Sequence, residues 1–226
     1  MTAILIATRN AHKVSEIQAI LGKEFQYLTL SDFPRAPKVI EDADTFGGNA
    51  TKKAVELANW LAARNAQPIP DLVLADDSGL EVDALDGAPG VFSARFAAMD
   101  SADNSSDADN NAKLLRLLKD VPQEKRTARF RCVIALTPVR AKEPESASRV
   151  CYADESELQT QLFDGVCEGR IILEPHGTNG FGYDPLFVPD GFDKTFADLG
   201  DDVKNKLSHR AQALEKLKSN VEALKR

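Results

Sequence analysis

Two adjacent carboxylates, Asp76 and Asp77, follow the hydrophobic run at residues 72–75. The run favours a buried strand, and the sequence predicts that this strand ends by presenting the aspartate pair. Two neighbouring carboxylates cannot both be buried and ionised without partners, so a cation is expected beside them. Because adjacent strand residues point to opposite faces, the two should make different contacts. Mg²⁺ suits them because it takes oxygen ligands. Ser78 and Gly79 leave an ordinary turn open as the alternative.

A second polar group lies near the N-terminus, between a predicted strand at residues 3–7 and a helix whose apolar positions are Val14, Ile17 and Leu21. Unpaired N–H groups and the helix dipole make such a junction an anion site, and Thr8, Asn10 and Lys13 would add donors. The alternative is that Thr8 and Asn10 cap the helix while Lys13 is solvated. The GxxxxGK[ST] spacing of a P-loop is absent from the chain.

A long helix is predicted over residues 45–64, after a strand at 25–30. Its apolar stripe consists of Phe46, Ala50, Ala54, Leu57 and Leu61. Lys53 lies off that stripe, so it could contact a phosphate or remain in water. Glu41, which precedes the helix, could be a metal ligand or a charge at the helix entry.

The segment GTNGFGYDP at residues 177–185 has three glycines around two aromatic residues and an aspartate. Glycine lets the backbone approach a flat ligand, Phe181 or Tyr183 can stack on it, and Asp184 can accept a hydrogen bond from its edge. These features predict a base-binding loop. The alternative is a glycine-rich turn whose aromatic side chains complete the core.

Basic residues open a predicted C-terminal helix, in which Ser208 is a suitable N-cap and Lys204, His209 and Arg210 lie close to the start. The apolar stripe of this helix is Ala211, Leu214, Leu217, Val221 and Leu224. Basic residues in a first turn oppose the helix dipole, which favours a bound anion or carbonyl oxygen there. Two solvated side chains are the alternative.

The remaining pattern predicts a turn, a loop, a helix and three strands. The turn is at residues 87–90, the acidic loop at 100–111, the helix at 112–118 and the strands at 129–136, 149–152 and 159–168, with a polar stretch at 141–148. The length suits one α/β domain or two closely packed lobes.

The net charge of −7 argues against a general nucleic-acid or membrane-surface binder. No long apolar segment is present, and the N-terminus MTAILIATRN does not resemble a signal peptide, so a cytoplasmic location is expected. Cys132, Cys151 and Cys167 form no CxxC pair, so we expect reduced cysteines.

Five segments in this order resemble the inosine triphosphate pyrophosphatase family. They are TRNAHK at 8–13, DTFGGNATKKA at 44–54, ADDSGLEVDALDGAPGVFSARF at 75–96, FGYDPLF at 181–187 and SHRAQAL at 208–214. The resemblance implies Mg²⁺-dependent hydrolysis of ITP, dITP and XTP to the monophosphate and pyrophosphate. It also implies a homodimer, one catalytic domain over residues 1–226, and an elongated two-lobed α/β fold. In that fold a mixed sheet is flanked by helices and the active site lies in the cleft between the lobes.

The resemblance also implies a role for each matched residue. The triphosphate would be contacted by Thr8, Arg9, Asn10, Ala11, His12, Lys13 and Lys53. The metal would be bound by Glu41 and Asp77, with Asp76 as a close companion. Asp77 would also accept the proton of the attacking water. Ser78 touches the substrate, and the base and sugar pocket is formed by Phe181, Gly182, Tyr183, Asp184, Lys204, His209 and Arg210.

Base selectivity is expected at the 6-position of the purine. His209 and Arg210 can donate hydrogen bonds to a 6-oxo group, whereas the 6-amino group of adenine would leave those donors unpaired. An unpaired buried partner costs about 1–3 kcal/mol. Many relatives have glycine at the positions of Arg9 and His12 and glutamate at the position of Gly48. Two other classes remain open, a hydrolase of another nucleotide or phosphate ester and a nucleotide-binding protein without catalysis.

Overall fold

The structure is a computed structural model that describes residues 1–63, 69–98, 104–139, 157 and 159–224, with side chains up to residue 220. Within these residues the strands are β1 Ala3–Ile6, β2 Gln26–Thr29, β3 Leu72–Val82, β4 Thr127–Pro138, β5 Gln161–Ile171 and β6 Phe187–Pro189. The helices are α1 Ala11–Leu21, α2 Phe46–Ala62, α3 Asp107–Leu117, α4 Phe196–Leu199, α5 Asp201–Leu207 and α6 His209–Leu224. Short 3-10 segments cover Asp83–Leu85, Gly90–Ala98 and Gln123–Lys125.

The described strands form one mixed sheet in the order β2-β1-β3-β4-β5-β6. Strand β1 is parallel to β2 and to β3, with Leu5 opposite Leu28 on one side and Val73 on the other. Strand β6 runs antiparallel to β5. The expected α/β fold with a mixed sheet and flanking helices is therefore confirmed.

The chain divides into two compact units. Unit 1 consists of Met1–Asp77, Val133–Phe163 and Leu217–Arg226. Its core contains the apolar face of α2 packed with residues of β1 and β3, and the predicted stripe of that helix is buried throughout. This packing fixes the orientation of α2, in which the half-buried Lys53 is adjacent to Ala54 of the stripe.

Unit 2 consists of Ser78–Cys132 and Asp164–Lys216. Its core is rich in aromatic rings, with the centroid of Phe187 lying 4.7 Å from that of Phe130 and 5.4 Å from that of Phe196. The division into two units agrees with the two lobes that the family resemblance implies. Where the active site lies with respect to them stays a prediction.

The sequence placed several element boundaries wrongly. Strand β3 continues through the aspartate pair to Val82, so the predicted strand end and the alternative turn are both wrong. Helix α3 begins at Asp107, five residues before the predicted start, because Ser106 caps it. Lys204 lies in the separate short helix α5, and the sequence patterns missed β6.

Other predictions are confirmed or fall outside the described residues. The predicted turn at 87–90 is present, and Gly87 and Gly90 have φ of 86° and 56° there. Cys132 and Cys167 are buried free thiols. The predicted strand at 149–152, the polar stretch at 141–148, Arg64 and Cys151 lie outside the described residues. No helix in the described part of the chain is long and apolar enough to cross a membrane.

Candidate active site

The start of α1 combines a helix cap with an ion pair. The Asn10 side chain accepts hydrogen bonds from the backbone N–H groups of His12 at 2.9 Å and Lys13 at 3.3 Å. Thr8 Oγ1 accepts from the Asn10 N–H at 3.2 Å. The capping alternative is therefore correct for Asn10. The alternative that Lys13 is solvated is wrong, because its Nζ forms an ion pair with Asp76 Oδ1.

Lys53 is the second lysine beside the aspartate pair. Its Nζ donates to the backbone carbonyl of Asp76 at 3.0 Å and lies 3.0 Å from Glu41 Oε1. The side chain is only 12% exposed, so the solvated alternative is wrong. Helix α2 places Lys53 beside its buried stripe, and the pairing with Glu41 brings the chain segment before α2 to the same site.

Asp77 is a buried carboxyl acted on by several charges. Only 7% of the residue is exposed, and burial raises its pKa from 3.8 to about 6. Lys53 and Lys13 lower the pKa, Glu41 raises it, and a hydrogen bond from the Asn49 side chain lowers it. Because the net shift of the Asp77 pKa is upward, the cost of removing this carboxylate from water exceeds the stabilisation of its ionised form by the two lysines. A carboxyl with a pKa of about 6 can exchange a proton near neutral pH.

These groups form the carboxylate cluster, defined as Glu41, Asp76, Asp77, Lys13 and Lys53. Among the residues that the structure describes, no three His, Cys, Asp or Glu side chains are arranged as a ready-made metal site. The donor chemistry nevertheless fits Mg²⁺, which binds through one or two carboxylates and completes its shell with phosphates and water. Glu41 and Asp77 repel each other across the cluster, and a divalent cation would relieve that repulsion.

In unit 2, the loop at 177–185 is closed around the Asp184 carboxylate. Asp184 Oδ2 accepts from the Phe181 N–H at 2.8 Å and from Lys204 Nζ at 2.6 Å, and the side chains of Asp184 and Lys204 are each 2% exposed. Lys204 Nζ also lies 4.4 Å from the centroid of the Phe181 ring. A Cβ at Gly180 would come within 2.2 Å of Asp184 Oδ2, which explains the glycine. Asp184 therefore orders this loop and Lys204 together.

The two aromatic residues of this loop have different environments. Tyr183 is buried in the core of unit 2 and donates its hydroxyl proton to the Ser93 carbonyl at 2.9 Å. Burial, and secondarily Asp107, raise its pKa above the ordinary value, so the hydroxyl stays protonated. The ring of Phe181 is half-buried. The core alternative is thus correct for Tyr183, whereas Phe181 is only partly buried.

His209 and Arg210 are held at the start of α6, where Ser208 accepts from the Ala211 N–H at 3.2 Å as the predicted N-cap. Both basic side chains are buried, so the solvated alternative is wrong. The His209 ring stacks on Phe130 with 4.8 Å between centroids. Arg210 Nη2 donates to Ser78 Oγ at 2.8 Å, and its guanidinium lies 5.9 Å from the Phe181 ring centroid.

The predicted site residues thus form two groups, each within one unit. Unit 1 brings together the carboxylate cluster. Unit 2 brings together the pocket cluster, defined as Ser78, Phe181, Asp184, Lys204, His209 and Arg210. Arg9 and His12 are exposed, and Arg9 Nη2 donates to the Ala36 carbonyl at 3.4 Å.

Sequence patterns missed several supporting residues. Asn49 bridges Asp77 and the chain before α2, where its Oδ1 accepts from the Ala43 N–H at 2.9 Å. Its position on the buried side of α2, one turn before Lys53, is the signal that could have identified it. Phe130, under His209, and Asp107 and Asn111 of α3 gave no comparable signal, because their partners are distant in sequence.

Gly48, where the family resemblance implies a glutamate, is closely packed. A Cβ at this position would lie 2.8 Å from the Ala43 methyl group and 3.0 Å from Thr45 Oγ1. A side chain at this position would therefore require Ala43 to shift.

Known proteins are similar to this chain along nearly its whole length. Residues 4–220 match the sequence pattern of the Ham1 family. A dITP/XTP pyrophosphatase of Shouchella clausii is 42% identical over 224 residues, covering 99% of this chain and 98% of that protein. One from Geobacter sulfurreducens is 46% identical over 222 residues, covering 98% and 97%. The solved structure of a HAM1 protein from Coxiella burnetii matches with a TM-score of 0.76 at 36% identity, covering 99% and 100%. The resemblance carried by the motifs is thereby confirmed, and the chain belongs to the Ham1 family.

Proposed function

We propose that this protein hydrolyses the noncanonical purine nucleoside triphosphates ITP, dITP and XTP to the monophosphate and pyrophosphate. Relatives that match it end to end at 42% and 46% identity carry the name dITP/XTP pyrophosphatase. The single structural observation that carries the proposal is Asp77, a buried carboxyl with a pKa of about 6 beside two lysines. This group favours a hydrolase over a nucleotide-binding protein without catalysis, because it can accept a proton near neutral pH.

The carboxylate cluster is assigned to the triphosphate and the reaction. Each lysine ammonium has three N–H donors, so Lys13 and Lys53 can bind phosphate oxygens while keeping the carboxylate or carbonyl oxygens that they already contact. Water attacks the α-phosphorus, the bond from that phosphorus to the oxygen bridging to the β-phosphate breaks, and pyrophosphate leaves. Asp77 accepts the proton of the water.

Mg²⁺ is assigned to Glu41 and Asp77, and when bound it would neutralise charge on the phosphate oxygens. Asp76, the remaining predicted metal residue, is engaged through Oδ1 by Lys13, which favours a role in placing that lysine. Phosphoryl transfer depends on positioning and charge neutralisation more than on covalent catalysis, and this residue set supplies both.

The pocket cluster is assigned to the purine. The half-buried Phe181 ring offers a stacking face, and His209 and Arg210 offer donors to a 6-oxo group. Lys204 is neutralised by Asp184 and therefore contributes position more than net charge.

We also propose that the protein is a homodimer and is located in the cytoplasm. The homodimer is tested by measuring the molar mass in solution by light scattering, where we expect twice the mass of one chain. A single-chain mass at micromolar concentration would remove the homodimer and leave the activity untouched.

Hydrolysis of ITP in H₂¹⁸O tests the position of attack. We expect ¹⁸O in the inosine monophosphate and none in the pyrophosphate, because the water oxygen bonds to the α-phosphorus. Label in inorganic phosphate, with inosine diphosphate as the other product, would contradict the proposed reaction.

A further inference from the structure

Helix α3 holds both backbone polar groups of one residue in the loop at 177–185. Asp107 Oδ2 accepts from the Gly182 N–H at 2.7 Å, and Asn111 Nδ2 donates to the Gly182 carbonyl at 3.0 Å. Asp107 and Asn111 are four residues apart, so they lie on the same face of the helix. Their bond partners are more than 70 positions away in the chain.

Gly182 lies between two aromatic residues of the loop with different surroundings. Its φ is 63°, in the left-handed region that favours glycine. Phe181 precedes it and lies beneath Lys204 and Arg210, while Tyr183 follows it and is anchored in the core. A change in the backbone at Gly182 would therefore rotate the Phe181 ring relative to the basic side chains.

Helix α3 is itself anchored, so it can act as a fixed support. Asn110 Oδ1 accepts from the Ala97 N–H at 2.8 Å, and its Nδ2 donates to the Ala94 carbonyl at 3.3 Å. Asp107 is in the first turn of α3, where the helix dipole stabilises a carboxylate. A hydrogen bond to an ionised acceptor is stronger than one between neutral groups.

We propose that Asp107 and Asn111 are positioning residues that hold Gly182, and with it Phe181, in the conformation that receives the purine base. The inference rests on the proposed function, because base selectivity is the property that these residues would set. It gives a role to the first turns of α3, which the sequence patterns assigned to the exposed loop at 100–111.

The first test is kinetic and uses Asp107→Ala and Asn111→Ala. We expect KM for ITP to rise on the order of tenfold, as the loss of one charge-assisted or partly buried hydrogen bond implies, with kcat within about twofold of wild type. The preference for ITP over ATP should fall by a similar factor. Asp107→Asn keeps an acceptor oxygen and should restore most of the affinity.

Asp109→Ala is the matched control. It removes the same charge from the same helical turn, but the described contacts of Asp109 are with Ser106, whose hydroxyl donates to Asp109 Oδ2 at 2.6 Å. We expect a small loss of stability and unchanged KM and selectivity. Equal changes in Asp109→Ala and Asp107→Ala, or unchanged selectivity in Asp107→Ala and Asn111→Ala, would overturn the inference.

Amide hydrogen exchange at Gly182 in the substrate-free protein supplies a readout that does not need activity. We expect exchange at Gly182 to accelerate by at least about tenfold in Asp107→Ala and to stay unchanged in Asp109→Ala. A wild-type protein that releases no pyrophosphate from ITP would contradict the proposed function. If amide exchange at Gly182 is equally fast in Asp107→Ala and in wild type, Asp107 does not hold this loop, whatever the activity.

Discussion

Asp77 shows how opposing effects on one residue can be weighed. Burial acts against its ionised form, and Glu41 adds repulsion, while two lysines and Asn49 act in the other direction. The outcome is a pKa of about 6, so the group is largely ionised at neutral pH and can still take up a proton. Asp76, one position earlier, pairs with Lys13. The expectation that the two aspartates have different contacts is correct, although both lie within a strand.

Substitution of Asp77 tests its role as proton acceptor. Asp77→Asn should lower kcat for ITP by about 10²–10⁴-fold, because the amide cannot accept the proton of the attacking water. Binding of a nonhydrolysable ITP analogue, measured by calorimetry, should be at least partly retained. Asp42→Asn is the control, since Asp42 is an exposed acid paired with Lys52 and should turn over like wild type. Retained turnover in Asp77→Asn would refute the proposed mechanism.

The raised pKa of Asp77 also predicts how stability depends on pH. The folded state keeps this proton up to about pH 6, whereas the unfolded chain loses it near 3.8, so the folded state binds more protons between these values. Its contribution to the free energy of unfolding therefore falls as pH rises through that window, by about 3 kcal/mol in total.

Asp77→Asn lacks this titration. The free energy of unfolding of the variant minus that of wild type, measured by urea denaturation with chelator, should increase from pH 4 to pH 7. Added Mg²⁺ should reduce the difference, because a cation beside Asp77 favours its ionised form. A difference that is flat across the window would contradict the assigned pKa.

At the scale of elements, the sequence predicted the helices better than the charged strand. The buried stripe of α2 follows directly from its 3.6-residue period. Strand β3 was predicted to end too early because Asp, Ser and Gly favour turns locally. Tertiary contacts override that preference, since β1 and β4 flank β3 in the sheet and Lys13 and Lys53 satisfy Asp76. The start of α3 was predicted five residues too late, although the sequence contained a signal for it, because Ser106 and Asp109 form a reciprocal cap.

The junction between β5 and α6 depends on a glycine. A Cβ at Gly165 would lie 2.0 Å from the His209 carbonyl oxygen and 2.7 Å from the Ala213 nitrogen. Gly165→Ala should therefore displace the first turn of α6, which carries His209 and Arg210, and lower the free energy of unfolding by at least about 1–3 kcal/mol. We expect a higher KM for ITP together with a lower melting temperature.

Gly87→Ala provides the comparison. Gly87 has a φ of 86°, and no atom lies within 4 Å of the point that a Cβ would occupy there, so alanine tests backbone strain without a steric clash. The substitution should lower the melting temperature and leave KM unchanged. If Gly165→Ala keeps both the melting temperature and the KM of wild type, the close approach of β5 to α6 is not what positions the basic residues.

At the scale of the whole molecule, the family and the α/β fold could be predicted from the sequence, because the motifs span nearly the whole chain. The candidate site could be predicted only as a set of residues. Which lysine contacts which carboxyl oxygen depends on contacts such as Lys13 to Asp76, which join positions 63 residues apart. Local patterns also cannot show that Asp184 binds Lys204 or that α3 holds Gly182.

The overall charge of −7 makes local cations essential for an anionic substrate. In the described residues, lysines pair with carboxylates in both units, as Lys53 does with Glu41 and Lys204 does with Asp184. A triphosphate would compete with carboxylates for the lysines of the carboxylate cluster. A divalent cation on Glu41 and Asp77 would lessen that competition, and for this reason we expect the activity to require metal.

The most direct test of the central claim is pyrophosphate release from ITP, XTP, GTP and ATP, each measured with Mg²⁺ and with excess chelator. We predict rapid release from ITP and XTP with Mg²⁺, little release from GTP and ATP, and loss of activity with chelator. Guanine also has a 6-oxo group, so discrimination against GTP must come from the 2-amino side of the base, whereas ATP is rejected at the 6-position. Equal release from all four nucleotides would contradict the assigned base pocket, and no release from any of them would contradict the proposed hydrolysis itself.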